Sequence, residues 1–592
     1  MGYTTRQVAK RAGARVALTT IVIGLLCCAA TQAQSVVSPP ATNPPRTPSV
    51  VPSSSELAPL RVLPPVPATL PEVPAPTPRE LGKPEDDLRV DVVRYVVDDN
   101  APAELRAALA ALTARYVGKN RNFEDLSGAA VEVTRFLQRE LGYYLGYAYL
   151  PEQDPRDGLI RIAVLEGRLD RVELKWVDGL PVKREVVESY LTRLQPGSIL
   201  RVRDVERVVF LVNDLRGITA RFEVRAGSTP GTALLVVTPR AESIWSGKME
   251  ADINGSRFLG EYRLGGLVQM NSPLGVGDGL TANMLSSTTG GMAFALLGYT
   301  SPVGSDGFKL GTSLSGVKYQ LDKTTFPLNL NGTALTVNGY GLYPMVRSRN
   351  LNVFTVATLE YKAYEDRQEG AGVTSRKNIQ TWALGLTGDF RDGLLGGGVN
   401  TFDASAVSGQ VSYPEGRPGG LDDAPSFTKL TYGFSRLQDV ITGRVLAYVA
   451  LRGQMALKNL DTTEQFRLGG SEGVRAFATG EGTGDEGAVM SLELRMLPPE
   501  AWIGRLAREM VASAFVDTGY VRYRHELLST ATTTGTLKNT ATFTGAGVGL
   551  SWVRPAEYAL RFSVSVPVSG TPRSDTLVRS PRLYLLATKY FN

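Results

Sequence analysis

The stretch Phe466-Arg-Leu-Gly-Gly-Ser-Glu-Gly-Val-Arg475-Ala-Phe-Ala-Thr-Gly-Glu-Gly-Thr-Gly-Asp485-Glu-Gly487 decides how the rest of this chain is read. It is a long, glycine-rich connection that runs into a strand-like segment, Ala488 to Met496, carrying one acid, Glu493. Glycine reaches left-handed and close-approach conformations, so such a loop can fold back through a narrow space. Arg475, flanked by Val474 and Phe477, has the look of an anchor at the tip of that loop.

Around this stretch, from Ala241 to Asn592, short alternating runs are separated by turn residues. Trp382-Ala-Leu384-Gly-Leu386, Leu430-Thr-Tyr432-Gly-Phe434 and Phe354 to Tyr361 are examples. Apolar residues on one face and small polar ones on the other are the pattern of a transmembrane strand. Strands of ~10 residues with their connections fit about sixteen times into this span. No run outside the N-terminus reaches the ~18 to 20 apolar residues of a spanning helix, so a membrane-embedded chain must cross as a closed barrel. Arg582 to Phe591 alternates and is expected to close it, with Asn592 following the last aromatic residue.

Upstream, two segments share one order of elements. In residues 87–169 a β-rich run, Val90 to Val97, precedes two helical patterns: Leu105, Leu109, Leu112 and Tyr116, then Leu126, Val133, Leu137 and Leu141. Strands are expected at Tyr143 to Leu150 and Leu159 to Val164. In residues 170–240 strands are expected at Arg171 to Trp176, Ile218 to Val224 and Ala233 to Thr238. Helices are expected at Val182 to Leu194 and Val205 to Leu215.

Residues 1–33 read as a secretory signal: Arg6, Lys10, Arg11 and Arg15, an apolar core from Val16 to Ala30, and a small-residue cleavage site ending at Ala33. A retained anchor is the alternative. Cys27 and Cys28 are the only cysteines, and Leu26 and Cys27 before them do not suit a lipid-attachment site. A mature chain free of cysteine excludes thiol catalysis and cysteine-ligated metals. Those four cations supply most of the formal charge of +6, so the basic balance does not argue for nucleic acid. Residues 34–86 carry Pro39-Pro40, Pro44-Pro45, Pro64-Pro65, Pro71, Pro74, Pro76 and Pro78, the composition of a stiff extended tether.

Other chemistry is sparse. His525 is the only histidine, which leaves no histidine-based triad or multi-histidine metal site, and a surface-loop position is expected for it. Gly480-x-Gly482-x-Gly484 and Gly545-x-Gly547-x-Gly549 lack the strand–helix context of a dinucleotide fingerprint. The second lies in an alternating strand, where glycine marks close packing or a bend. Trp245, Trp382 and Trp552 read as barrel or interface aromatics. No enzyme activity, cofactor or metal is expected.

Several runs resemble the two-partner secretion translocators, a branch of the BamA superfamily. The opening stretch is similar to their inward-folded sixth loop, which reads Leu-Gly-Gly, Val-Arg-Gly-Tyr and Gly-Asp-x-Gly. Here the matching positions are Gly469, Gly470, Val474, Arg475, Phe477, Gly484, Asp485 and Gly487, with Ala476 and Phe477 in place of Gly and Tyr. Phe515-Val-Asp517-Thr-Gly519 resembles their wall motif, Phe-x-Asp-x-Gly. Gly142-Tyr143, Leu150-Pro151-x-Gln153 and Gly158 to Gly167 resemble a POTRA module. Leu211-Val-Asn213-Asp214-Leu215-Arg216-Gly217-Ile218 resembles a second, with Arg216 replacing proline. Asp252 to Arg257 and Tyr299 to Gly304 look like the family's first barrel strands.

The resemblance implies a multidomain protein: two α+β POTRA-like periplasmic domains followed by a transmembrane antiparallel β-barrel, with loop 466–488 folded inward. It implies a clamp between Arg475 and Asp517, with Glu493 a second acid and Phe515 and Gly519 in the wall. A planar guanidinium can bind a carboxylate through two parallel hydrogen bonds. The expected partners are a large secreted exoprotein, outer-membrane lipid and, during biogenesis, the barrel-assembly machinery, with no nucleic acid. The family often carries a pore-plugging helix near the N-terminus, for which Ser53 to Leu57 is the remaining short candidate. A barrel-assembly or insertion factor of the same superfamily is the closest rival, and a passive porin or adhesin a more distant one. Two modules rather than more favour secretion.

Overall fold

The computed structural model describes residues 89–154, 156–417, 423–527, 538–573 and 580–591. The expected signal, tether and plug segment lie outside them, as does Asn592.

The first module starts with β1 (Val90–Val92) and β2 (Arg94–Val97), then α1 (Ala103–Thr113), which buries Leu105 and Leu109. Next comes β3 (Gly118–Arg121), paired antiparallel with β1. Gly-Lys-Asn-Arg has no apolar alternation, so nothing in its pattern announces a strand. α2 (Phe123–Arg139) buries Leu126, Val133 and Leu137. Asn122 caps it reciprocally: its side chain accepts from the Asp125 amide, and the Asp125 carboxylate accepts from the Asn122 amide. β4 (Tyr147–Tyr149) and β5 (Leu159–Leu165) complete a sheet of order β2-β5-β4. The Gln153 side chain extends the ladder by accepting from the Arg161 amide at 2.7 Å and donating to its carbonyl at 2.8 Å.

The second module has β6 (Arg168–Leu174), α3 (Arg184–Leu191), α4 (Val202–Asn213), β7 (Ile218–Ala226) and β8 (Thr232–Ala241), in sheet order β6-β8-β7. α3 is shorter than the pattern from Val182 suggests. Lys183 is held extended, its amide donating to the Gly275 carbonyl of a barrel turn at 2.8 Å. Asn213 closes the turn after α4 by bonding both the amide and the carbonyl of Ala220. Tyr144 of the first module is buried in the core of the second, and its amide donates to the Leu200 carbonyl at 2.8 Å. The two modules are therefore coupled through packed side chains as well as through the chain.

Sixteen strands then form a closed antiparallel barrel. They are β9 (Trp245–Asp252), β10 (Arg263–Asn271), β11 (Gly279–Ser287), β12 (Met292–Pro302), β13 (Lys309–Gln320), β14 (Leu330–Arg347), β15 (Leu351–Gln368) and β16 (Val373–Asp392), followed by β17 (Gly398–Ser412), β18 (Ser426–Ile441) and β19 (Val445–Ala456). After a loop that holds the small hairpin β20 (Phe466–Arg467) and β21 (Thr483–Gly484), the wall resumes with β22 (Glu486–Met496). It ends with β23 (Met510–Arg522), β24 (Thr540–Arg554), β25 (Tyr558–Ser569) and β26 (Arg582–Phe591), which pairs back onto β9. Asp252 ends the first strand, and Tyr299 to Pro302 ends the fourth. Among the described residues no helix is long and apolar enough to cross a membrane.

Alternation sorts the two faces. Leu335, Val337, Leu359, Tyr361, Trp382 and Leu384 point outward and are exposed, whereas Asn338, Glu360, Lys362 and Thr381 point inward and are buried. The outer band is what lipid requires, and the inner face can carry charge. Trp382 lies at the middle of β16 opposite Leu359. Trp382→Lys is expected to cost ~2–4 kcal/mol of barrel stability, the penalty for a cation near the bilayer midplane. Urea unfolding of the vesicle-refolded protein would read it, and an unchanged midpoint would mean that this face is not in lipid.

Candidate functional site

The connection from β19 to β22 runs from Leu457 to Asp485, starting well before Phe466. It folds into the barrel. One limb touches β15, β16 and β18 through Lys362, Lys377 and Lys429, and the tip touches β23 and β24, across the lumen. Phe466, Leu468, Val474, Ala476 and Phe477 form an apolar cluster with the wall residues Val489, Val521 and Phe543. The Phe477 and Phe543 rings lie 4.6 Å apart.

Arg475 sits at the far end of this loop. Its Nε donates to Asp517 Oδ2 and its Nη2 to Asp517 Oδ1, both at 2.8 Å, and its backbone amide adds a third bond to Oδ2 at 3.1 Å. The guanidinium carbon lies 3.3 Å from the centre of the Phe515 ring. The Asp517 side chain is fully buried and that of Arg475 is 17% exposed. Glu493 is more distant, accepting from Arg475 Nη1 at 3.4 Å while its other oxygen accepts from Arg495 at 3.0 Å. The Ser565 hydroxyl donates to the Arg475 carbonyl at 2.8 Å.

The seat depends on missing side chains in the wall. A Cβ at Gly545 would lie 2.4 Å from that of Ala476, and one at Gly519 would lie 2.8 Å from Leu468 and 3.1 Å from Val474. Gly545-x-Gly547-x-Gly549 on β24 is thus where the loop tip and the Phe515 ring approach the wall. Gly469 and Gly470 form the bend before the tip, where Gly470 has φ +120 and the Val474 amide donates to the Leu468 carbonyl at 2.8 Å. Gly484 closes the small hairpin, and Gly487 already belongs to β22, packed on Phe466. Asp485 is fully buried, accepting from the Leu460 amide, the Gln465 side chain and the His525 amide. His525 lies in the loop after β23, partly exposed, and its ring bonds Glu486.

Two features are not read from the sequence. The first is the set of buried acids on the near limb, Asp461 and Glu464, with the wall lysines that meet them. Lysines on the polar face of alternating strands are the available signal. The second is the seat of the second module on the barrel. Asp214 takes two bonds from Arg347 at the end of β14, at 2.7 and 3.0 Å, and the guanidinium stacks 4.7 Å from the Phe210 ring centre. Arg207 adds bonds to the carbonyls of Asp306 and Pro344, and Lys309 donates to the Asp214 carbonyl at 2.8 Å.

Two α+β modules docked on a closed barrel, with a loop crossing its lumen, are the architecture expected of the two-partner secretion translocators that the sequence resembles. A family model described as haemolysin secretion/activation protein ShlB/FhaC/HecB matches residues 231–552, and one described as POTRA domain, ShlB-type, matches residues 90–167. The chain belongs to the ShlB/FhaC/HecB family and sits in the outer membrane with its POTRA module in the periplasm. It is 25% identical over 479 residues to the heme/hemopexin transporter protein HuxB of Haemophilus influenzae, covering 80% of this chain and 83% of that one. It is 26% identical over 427 residues to the outer membrane transporter CdiB of Dickeya dadantii, covering 70% and 73%. The solved structure of CdiB from Escherichia coli superposes with a TM-score of 0.66 at 20% identity, over 91% of this chain and 94% of that chain.

Removing one member of a buried, hydrogen-bonded ion pair strands the other. Asp517→Ala is therefore expected to cost ~3–5 kcal/mol of barrel stability in urea. A loss below ~1 kcal/mol, the range of exposed pairs, would mean the pair is solvated. Gly545→Val should push the tip off the wall and raise the frequency of open-channel currents in planar bilayers. Wild-type currents would show that the tip does not rest there.

Proposed function

We propose that the two periplasmic modules take up an extended, unfolded segment of a large exoprotein, and that the barrel passes it outward as the Arg475 end of the loop leaves Asp517. The observation that carries this reading is the loop itself, which crosses the lumen on the path an exported chain would take. Its tip is held by the Arg475–Asp517 pair, a bond from Ser565 and the apolar packing of Phe477 on Phe543, rather than by covalent or sheet structure, so the contact is local enough to be displaced. β4 and β2 are the edges of the first sheet and β6 and β7 those of the second. An extended peptide adds to such edges through main-chain hydrogen bonds. Folding of the cargo outside the cell would supply the direction of transport.

The Asp214–Arg347 seat gives the modules a fixed line into the barrel. Arg347→Ala should leave a folded, heat-modifiable barrel yet reduce secretion by at least about tenfold, the effect of losing ~1.4 kcal/mol of coupling. Deleting residues 87–240 should abolish secretion in a host that supplies the exoprotein. Undiminished secretion after that deletion would exclude capture by these modules.

A further inference from the structure

A second set of ion pairs holds the same loop near its start, with the polarity reversed. Glu464 accepts from Lys362 and from Lys429, each at 2.9 Å, and Lys429 also donates to the Glu464 carbonyl at 2.7 Å. Lys362 reaches Glu360 on its own strand at 3.2 Å. Both oxygens of Asp461 accept from Lys377 at 2.8 Å. The side chains of Lys362, Lys429 and Glu464 are no more than 1% exposed. Three lysines thus meet three acids, so this buried cluster is balanced in charge, the condition under which such groups can stay ionised away from water. The ends of the loop are stitched together beside it. Gln454 donates to the carbonyls of Glu464 and Asp485 at 3.0 and 3.1 Å, and Asp485 binds Leu460 and Gln465.

The tip is held differently. Arg475 is a single partly exposed cation on the loop facing an acid on the wall. Between the two anchorages lie Gly469, Gly470, Gly473, Gly480 and Gly482, of which Gly470, Gly480 and Gly482 have positive φ. The structure thus has a root locked by several buried ion pairs, glycine-rich limbs and a tip seated by the Arg475–Asp517 pair and the apolar packing around it.

We propose that the loop opens as a hinged flap, with Lys362, Lys377 and Lys429 as positioning residues that keep its root on the wall while the tip swings. This rests on the reading of Arg475–Asp517 as a releasable contact. The opposite polarities also fix the register of the loop. Sliding it around the wall would set Arg475 against lysines or Glu464 against Asp517, and like charges brought together disfavour the wrong arrangement.

The test is a pair of spin-label distances in the full-length protein in lipid vesicles, with Cys27 and Cys28 changed to serine. Lys323, exposed in an outer turn, serves as the wall reference, paired either with Thr462 at the root or with Glu472 at the tip, all three being exposed. In Arg475→Ala, the Lys323–Glu472 distances should broaden or shift while Lys323–Thr462 stays as in the wild type. In Glu464→Gln, the Lys323–Thr462 distances should shift. Lys429→Met, which keeps the Lys362–Glu464 contact, should shift them in the same direction by less, and serves if Glu464→Gln does not fold. Movement of both pairs together in Arg475→Ala would mean that the loop leaves as one plug, overturning the flap. An unmoved root in both Glu464→Gln and Lys429→Met would overturn the role of the lysines. If Arg475→Ala moves neither pair, the releasable contact itself fails and the flap with it, whereas the Glu464 variant still reports whether the lysines hold the root.

Discussion

A charge buried inside a barrel must find a partner, because an unpaired ion away from water is costly. That constraint organises this protein. It places Arg475 against Asp517 and Glu464 between Lys362 and Lys429, and so draws a loop of nearly thirty residues (457–485) across the lumen in one register. Apolar packing of Phe466, Leu468 and Phe477 fills the space between these contacts, but packing alone is indifferent to sliding. The paired charges supply the directionality.

The wall serves the same end. Closure of β26 on β9 leaves no free edge in lipid, which is the only way strands can span a bilayer. Strict alternation then lets one strand carry Leu359 and Tyr361 toward lipid and Glu360 and Lys362 toward the lumen. At the periplasmic end the second module rests on barrel turns through Asp214, Arg207 and Lys183. Tyr144, packed into the second module's core, ties the first module to it.

The barrel is legible in the sequence because period-two alternation is a local signal repeated along more than half of the chain, and the class of protein through the resemblance of the 466–487 stretch, the Phe515–Gly519 run and the module patterns to a known family. Arg475 draws notice as a lone long cation in a glycine-rich loop, Asp517 through the resemblance of its run to a family motif, and Gly545 as a glycine of close packing in an alternating strand. The root of the loop is not legible in that way. Lys362, Lys377 and Lys429 are spread over three strands and lie far in sequence from Asp461 and Glu464, and only the closed topology brings them together. β3 escapes notice for a related reason: four polar residues form a strand because β1 offers a free edge, not because of their own pattern. The partners of His525, Glu486 and Asp485, lie about forty residues away on a neighbouring strand and loop, so its place in a loop is legible and its contacts are not.

The central claim is that the Arg475–Asp517 contact, as a charge pair, sets the closed state of a secretion pore. Reversing each charge separately and then together, with Arg475→Asp, Asp517→Arg and the double exchange, and recording channel currents in planar bilayers, tests it most directly. Each single reversal, which sets two like charges face to face in a buried site, is expected to raise the frequency of open-channel currents, and the double exchange to lower it again. Wild-type currents from the single reversals, or no recovery in a double exchange whose barrel is folded, would contradict it.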